Sequence, residues 1–309
     1  MEEVSPAFLS VRQKSGRQKG LQAMSQTEQN LCFFALLDIL GFKKRVKETT
    51  FDQLKEIVNG FIVGTARTVD VSRGIVTHTG QICSRGKLKS VSVRIVSDSI
   101  CVWANQSEED DNCLRQFDSL LLIVKGMLEY GLSHDLPLRG AITFGELFSG
   151  DTRLPDDFPV DFSFDANTLY GRAVVDANEV EATMNWSGAI VTPNAWAKVK
   201  KEFAEGHKMR AANIKRPEDL FNHFPYLVWW DVPYKEKRQK GIAINWNYYP
   251  YNAVSEDTIK RAFSGRGSGD AEVSKKRDET ILFYKNAIAV QVENLPVPDE
   301  TYGQVDLVE

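Results

Sequence analysis

The chain lacks nearly everything that announces a secreted, membrane-bound or nucleic-acid-binding protein. Of its 309 residues only four are cysteine (Cys32, Cys83, Cys101 and Cys113), and no two form a C-x-x-C pair. That argues against a disulfide framework and leaves buried, reduced thiols as the expectation. Long apolar runs are missing too. The longest, from Leu31 to Leu37, is broken by Asp38 and falls far short of a membrane span. The first residues carry charge and serine but no apolar segment of the signal-peptide kind, so a cytoplasmic protein is expected. There is no basic surplus: 38 Lys and Arg against 42 Asp and Glu give a formal charge of −4 and a pI near 5.7. A general nucleic-acid binder needs the opposite balance. The four histidines show neither H-x-x-x-H nor H-E-x-x-H spacing, which argues against a zinc site, and no G-x-x-x-x-G-K-[ST] phosphate loop occurs.

What remains is ordinary globular composition, 42% hydrophobic and 26% charged. Residues 1–28 are polar and read as a flexible arm. The run from Leu31 to Leu40 is too short for a helix apolar on every side and reads as a buried central strand ending at Gly41. Phe51, Leu54, Ile57, Val58, Phe61 and Ile62 recur at helical spacing. Residues 91–103 alternate around a polar centre and predict a hairpin turning at Ser97-Asp98. A second helix is expected over 111–133, ended by Gly131. Leu138 to Phe148 reads as two strands separated at Gly145, 170–184 as a third helix, and Gly188 to Thr192 as a strand. Further strands are expected at 226–231 and 241–246, and a polar helical stretch over 255–288 interrupted by the glycine-rich tract Ser264–Asp270. Strands alternating with helices but including hairpins predict an α/β sandwich, with helices packed on a mixed sheet. The expected division is an arm over 1–28, a core over 29–205, and a C-terminal extension over 206–309 packed on that core.

Two acidic residues interrupt apolar strand patterns: Asp38 ends the first run, and Asp98 sits at the hairpin tip. A buried carboxylate is costly unless a cation or dense hydrogen bonding compensates. Two brought together repel, and a hard divalent cation resolves that; Mg²⁺ takes one or two carboxylates plus phosphate oxygens. The plainer alternative is that each aspartate caps a turn at a strand end. Trp229, Trp230 and Trp246, with Tyr248 and Tyr249, read as core or interface rather than as a stacking platform.

Four segments in order, residues 34–42, 94–99, 138–146 and 169–181, resemble those of class III nucleotidyl cyclases. Phe34-Ala-Leu-Leu-Asp-Ile-Leu-Gly-Phe42 looks like that family's first metal-binding strand. Arg94-Ile-Val-Ser-Asp-Ser99 resembles its K-x-x-G-D-S hairpin, with Arg for Lys and Ser for Gly. Leu138 to Glu146 is similar to the following strand, and Leu169 to Glu181 resembles the G-x-x-V-N-x-A-x-R-x-E helix. The resemblance covers roughly half the chain. It implies a ferredoxin-like core, with Asp38, the Ile39 carbonyl and Asp98 holding two Mg²⁺ or Mn²⁺ ions. It also implies cyclisation of a nucleoside triphosphate to the 3′,5′-cyclic monophosphate with loss of pyrophosphate. The stretch from Leu40 to Arg45, with Lys43 and Lys44 nearby, is expected to meet the triphosphate. The site in this family forms between two chains, so a homodimer is expected, Arg94 and Thr168 serving the partner's aspartates.

The departures are equally specific. Val175 stands where the family keeps a transition-state Asn, and Glu179 where it keeps Arg. Arg172, Asn178 and Arg139 are the available replacements. Arg94, with fixed guanidinium donors, suits a carbonyl-rich pyrimidine edge, which favours UTP over CTP. Phe42 either packs on the base or fills core. This pattern looks like the pyrimidine cyclases of bacterial Pycsar anti-phage defence, soluble enzymes whose cyclic UMP or cyclic CMP activates a separate effector. No nucleic acid or membrane partner is expected. The competing reading is a catalytically degenerate nucleotide-binding module on the same fold.

Overall fold

The computed structural model describes residues 30–73, 91–104, 113–152, 166–205, 220, 224–248, 254–264 and 270–294. The N-terminal arm, Cys83, His78, His207, His223, most of the glycine-rich tract and the final proline-containing segment lie outside the described residues.

The first strand, β1 (Asn30–Ile39), forms where the apolar run predicts it. It turns at Gly41, whose φ of 72° is a backbone that favours glycine, into a short helix α1 (Phe42–Glu48). The next helix, α2 (Phe51–Arg73), begins at Phe51 as expected but runs well beyond Ile62. β2 (Val91–Val96) and β3 (Ser99–Ala104) make the expected hairpin, with Ser97 and Asp98 at its turn. α3 (Cys113–Ser133) follows and ends at Ser133 as expected, two residues past Gly131. The Gly131 carbonyl accepts the Leu136 N–H at 2.7 Å, closing the chain just beyond the last turn.

The largest departure is β4 (Leu138–Thr152), one continuous strand through Gly145. A side chain at Gly145 would lie 3.2 Å from the Ala173 backbone nitrogen, so this glycine admits a helix at close range and breaks nothing. The hairpin partner of β4 is β5 (Ala166–Tyr170), pairing Phe148 with Tyr170. Then come α4 (Arg172–Thr183), β6 (Gly188–Val191) and α5 (Pro193–Ala204). β7 (Leu227–Pro233) and β8 (Arg238–Ile244) precede α6 (Glu256–Ser264) and α7 (Ala271–Asn294).

The sheet order is β2-β3-β1-β4-β6-β8-β7, with β5 beside β4. Its first four strands and their helices form the split βαββαβ arrangement, antiparallel throughout, that defines a ferredoxin-like core. β6 joins parallel to β4, and the C-terminal hairpin extends the same sheet antiparallel to β6. The result is the mixed sheet with packed helices that the element order predicts.

Alternation along β1 separates two cores. Phe33, Ala35, Leu37 and Ile39 face the larger one with α3; Cys32, Phe34 and Leu36 face a smaller one closed by Ala173 and Ala177 of α4. Cys32, Cys101 and Cys113 are buried free thiols, and burial pushes Cys32 and Cys113 up to about 12, which makes them inert packing groups. Among the described residues no helix is long and apolar enough to cross a membrane.

Half-buried Asp118 on α3 carries a carboxyl that burial pushes from an ordinary 3.8 up to about 6. Between those values the folded chain holds a proton that the unfolded chain has lost, so stability falls as pH rises through the window. Replacing Asp118 by Asn removes this dependence. Urea unfolding should find Asp118→Asn more stable than the parent above pH 6 by on the order of 2 kcal/mol, with the difference shrinking towards pH 4. Parallel pH profiles for the two proteins would refute that assignment.

Candidate active site

The sheet places Asp38 and Asp98 together. Asp38 lies opposite Ser99 on one side and Arg139 on the other, and the Ile39 N–H donates to the Asp98 carbonyl at 2.9 Å. Two aspartates sixty positions apart thus occupy neighbouring places at one end of the sheet. The turn that carries Asp98 has φ of 58° at Ser97, a left-handed conformation that the resemblance's usual glycine would adopt without strain.

Asp38 points to the same face as Leu36, where α4 packs. Glu181, one α4 turn beyond buried Ala177, reaches back to this point and hydrogen-bonds the Asp38 side chain. Arg139 binds the pair together: its guanidinium contacts Asp38 Oδ2 at 3.4 Å, ion-pairs with Glu181, and donates to the Met184 carbonyl at 3.0 Å. Burial raises the Asp38 carboxyl above its usual range, Arg139 opposes the rise, and the Asp98 charge adds to it. Glu181 is raised for the same reasons, first by burial, with Arg139 opposing and Asp38 adding. One carboxyl of the hydrogen-bonded Asp38–Glu181 pair carries a proton, so the surplus negative charge rests on the other and on Asp98 against one guanidinium, a setting that attracts a divalent cation.

Among the described residues no group of three or more His, Cys, Asp or Glu side chains is placed to hold a metal ion. The donor set here is therefore sparse: the Asp38 and Asp98 carboxylates with the Ile39 carbonyl. That set fits Mg²⁺ or Mn²⁺, which keep water or phosphate oxygens at their remaining positions, and does not fit a cation that needs an all-protein cage.

The other sequence candidates lie elsewhere in the chain. Phe42 is buried in the larger core beside Ile39 and Leu40, where it packs. Arg94 shares the Asp38 face, opposite Cys101 and with its guanidinium 5.6 Å from the Trp103 ring centre. From strand spacing and rise it stands roughly 12 Å from Asp38. Thr168 pairs with Gly150, at the far end of β4 from Arg139. Arg172 opens α4, exposed and paired with Asp176 at 2.6 Å, at the opposite end of that helix from Glu181. Asn178 and Glu179 are exposed, and Val175 is 52% exposed. Lys43 and Lys44 are also exposed, the latter 3.7 Å from Glu48. A single chain therefore gathers Asp38, Ile39 and Asp98 and leaves Arg94, Thr168, Arg172 and Asn178 apart. Glu181 is the member of the cluster that the sequence reading quoted without a role. Its signal was an acid at four-residue spacing from Ala173 and Ala177, on the apolar side of its helix.

No family model and no curated protein matches the chain. Among solved structures, the chain is similar to the guanylate cyclase domain of RhGC from Catenaria anguillulae in complex with GTP, at 11% identity and a TM-score of 0.39, over 70% of this chain and 96% of that one.

Proposed function

We propose that the protein is a nucleotidyl cyclase that converts a pyrimidine nucleoside triphosphate, UTP in preference to CTP, to its 3′,5′-cyclic monophosphate and pyrophosphate. The observation that carries this reading is the convergence of Asp38 and Asp98 at one sheet end, with more negative charge than Arg139 neutralises. Asp38, the Ile39 carbonyl and Asp98 would hold Mg²⁺ or Mn²⁺. When bound, such ions neutralise the triphosphate and lower the pKa of the ribose 3′-hydroxyl. The two carboxylates would hold the ions, and with them the phosphates, against the β1 and β2–β3 termini. The 3′-hydroxyl gives its proton to solvent, its oxygen bonds to the α-phosphorus as the bond from that phosphorus to the bridging oxygen breaks, and pyrophosphate departs with the electron pair.

The separation of Arg94 and Thr168 from Asp38 supports a site completed by a second copy of the chain, and exposed Val96, Tyr170 and Val175 supply apolar surface for it. Arg94 then faces the base bound by the partner, its N–H groups donating to uracil O4. Inactive Asp98→Asn chains mixed with inactive Arg94→Ala chains should recover about a quarter to a half of parental activity, since each mixed pair regains one sound site. No recovery would refute the shared site. The resemblance further suggests a second messenger read by a separate effector in anti-phage defence.

A second reading is favoured by Val175 and Glu179, which occupy the exposed face of α4 where the resemblance calls for Asn and Arg. It makes the protein a nucleotide-binding module without turnover. Incubating purified protein with all four nucleoside triphosphates and Mn²⁺, then identifying products by mass spectrometry, separates the two. Cyclic UMP as the main product supports the cyclase; tight nucleotide binding without any cyclic product supports the module.

A further inference from the structure

We infer that Arg139 is the resident counter-ion of the cation site, and that Glu181 draws it off Asp38 when a divalent cation binds. This rests on the reading of Asp38 as a metal ligand.

Arg139 is always charged and only 14% exposed, so its positive charge acts at short range on whatever approaches Asp38. Its three contacts are unequal. The Asp38 contact, at 3.4 Å, is longer than the 2.7–2.9 Å typical of charge-assisted bonds. The Glu181 carboxylate ion-pairs with the guanidinium, though Arg139 Nε and Glu181 Oε1 form no hydrogen bond, and the Met184 carbonyl, at the C-terminal cap of α4, accepts at 3.0 Å. The guanidinium is thus anchored on α4 and leans on β1. Without a cation it offsets part of the Asp38 charge; with one, it retreats onto Glu181 and Met184 and keeps both partners. Glu181 is a positioning residue in this scheme: it touches neither cation nor nucleotide, and acts through Arg139 and through its own hydrogen bond to Asp38.

The expected results run in opposite directions. Glu181→Gln weakens the arginine's anchor, leaves Arg139 closer to Asp38, and raises the Kd for Mn²⁺ roughly tenfold. The double variant Arg139→Gln with Glu181→Gln removes the competing cation as well as its anchor, and returns Mn²⁺ binding to parental strength or tighter. Mn²⁺ alone is titrated into the full chain by electron paramagnetic resonance. Asp38→Asn identifies the Asp38-dependent ion, and metal-free thermal unfolding verifies that each variant is folded. A role confined to packing lowers thermal stability but leaves Kd unchanged, or leaves the double variant as weak as the single one; either result overturns the inference. Loss of Asp38-dependent binding in the parent itself overturns both it and the metal reading. The expected Kd changes in a protein that cyclises no nucleotide would sustain the inference while the cyclase reading falls.

Discussion

Replacing Asp98 by Asn should reduce cyclic-nucleotide formation by about three orders of magnitude, as expected when a main charge-stabilising group is lost from a phosphoryl-transfer site. The substitution keeps the shape of the side chain and leaves the backbone bond from the Ile39 N–H to the Asp98 carbonyl in place. The β2–β3 turn should therefore survive. Removing one negative charge beside Asp38 also relieves repulsion, because the Asp98 charge contributes to the raised Asp38 carboxyl. Metal-free thermal unfolding should consequently be unchanged or shifted slightly upward. This combination, lost turnover with a folded protein, separates a ligand from a turn cap. A variant that retains activity within tenfold of the parent would show that Asp98 serves the turn alone.

Phe283→Ala should destabilise the chain by about 3–5 kcal/mol, the cost of emptying a large aromatic site in a core. Phe283 is fully buried on α7, with its ring centre 4.6 Å from that of Trp186, 5.4 Å from Trp230 and 5.7 Å from Trp246. The three tryptophans come from the α4–β6 connection, β7 and the turn after β8, so one ring joins the C-terminal helix to the extended half of the sheet. The neighbouring bond from the Ser187 N–H to Thr280 Oγ1, at 2.9 Å, ties α7 to the same connection. That connection begins at Met184, whose carbonyl holds Arg139. The midpoint of thermal unfolding should fall by roughly 10 °C, and Mn²⁺ affinity should fall with it. A midpoint within about 2 °C of the parent would mean that the tryptophans close over the space left behind.

The parts of the fold legible in the sequence were those with unmixed local signals. β1 was visible as an apolar run stopped by Asp38 and Gly41, and the β2–β3 hairpin as alternation around Ser97 and Asp98. β4 was misread at Gly145 because a glycine in a strand looks the same whether it bends the chain or admits a helix; only the position of Ala173 decides. β5 was missed for a related reason. It follows β4 only after an intervening stretch, and its pairing with Phe148–Thr152 is a long-range contact with no local pattern. The end of α3 at Ser133 falls where the sequence places it, whereas the bond by which the Leu136 N–H closes on the Gly131 carbonyl is a property of the loop.

The candidate site divides along the same line. Asp38 and Asp98 announced themselves by breaking apolar strands, and strand pairing brings them together. Glu181 lay in a helix where acids are common, and its burial depends on α4 crossing β1 and β4 at the height of Arg139. Arg139 was named as a possible replacement for a missing transition-state group; its guanidinium is instead engaged by Asp38, Glu181 and the Met184 carbonyl. That commitment to three partners could not be read from a lone arginine in a strand.

The most direct measurement is a crystal of the protein grown with Mn²⁺ and a UTP analogue in which the α–β bridging oxygen is replaced, recorded at a wavelength where manganese scatters anomalously. A shared ion site gives an anomalous peak within about 2.5 Å of carboxylate oxygens from both Asp38 and Asp98, shared with phosphate oxygens of the nucleotide. A nucleotide bound with no such peak, or manganese held away from either aspartate, would contradict it.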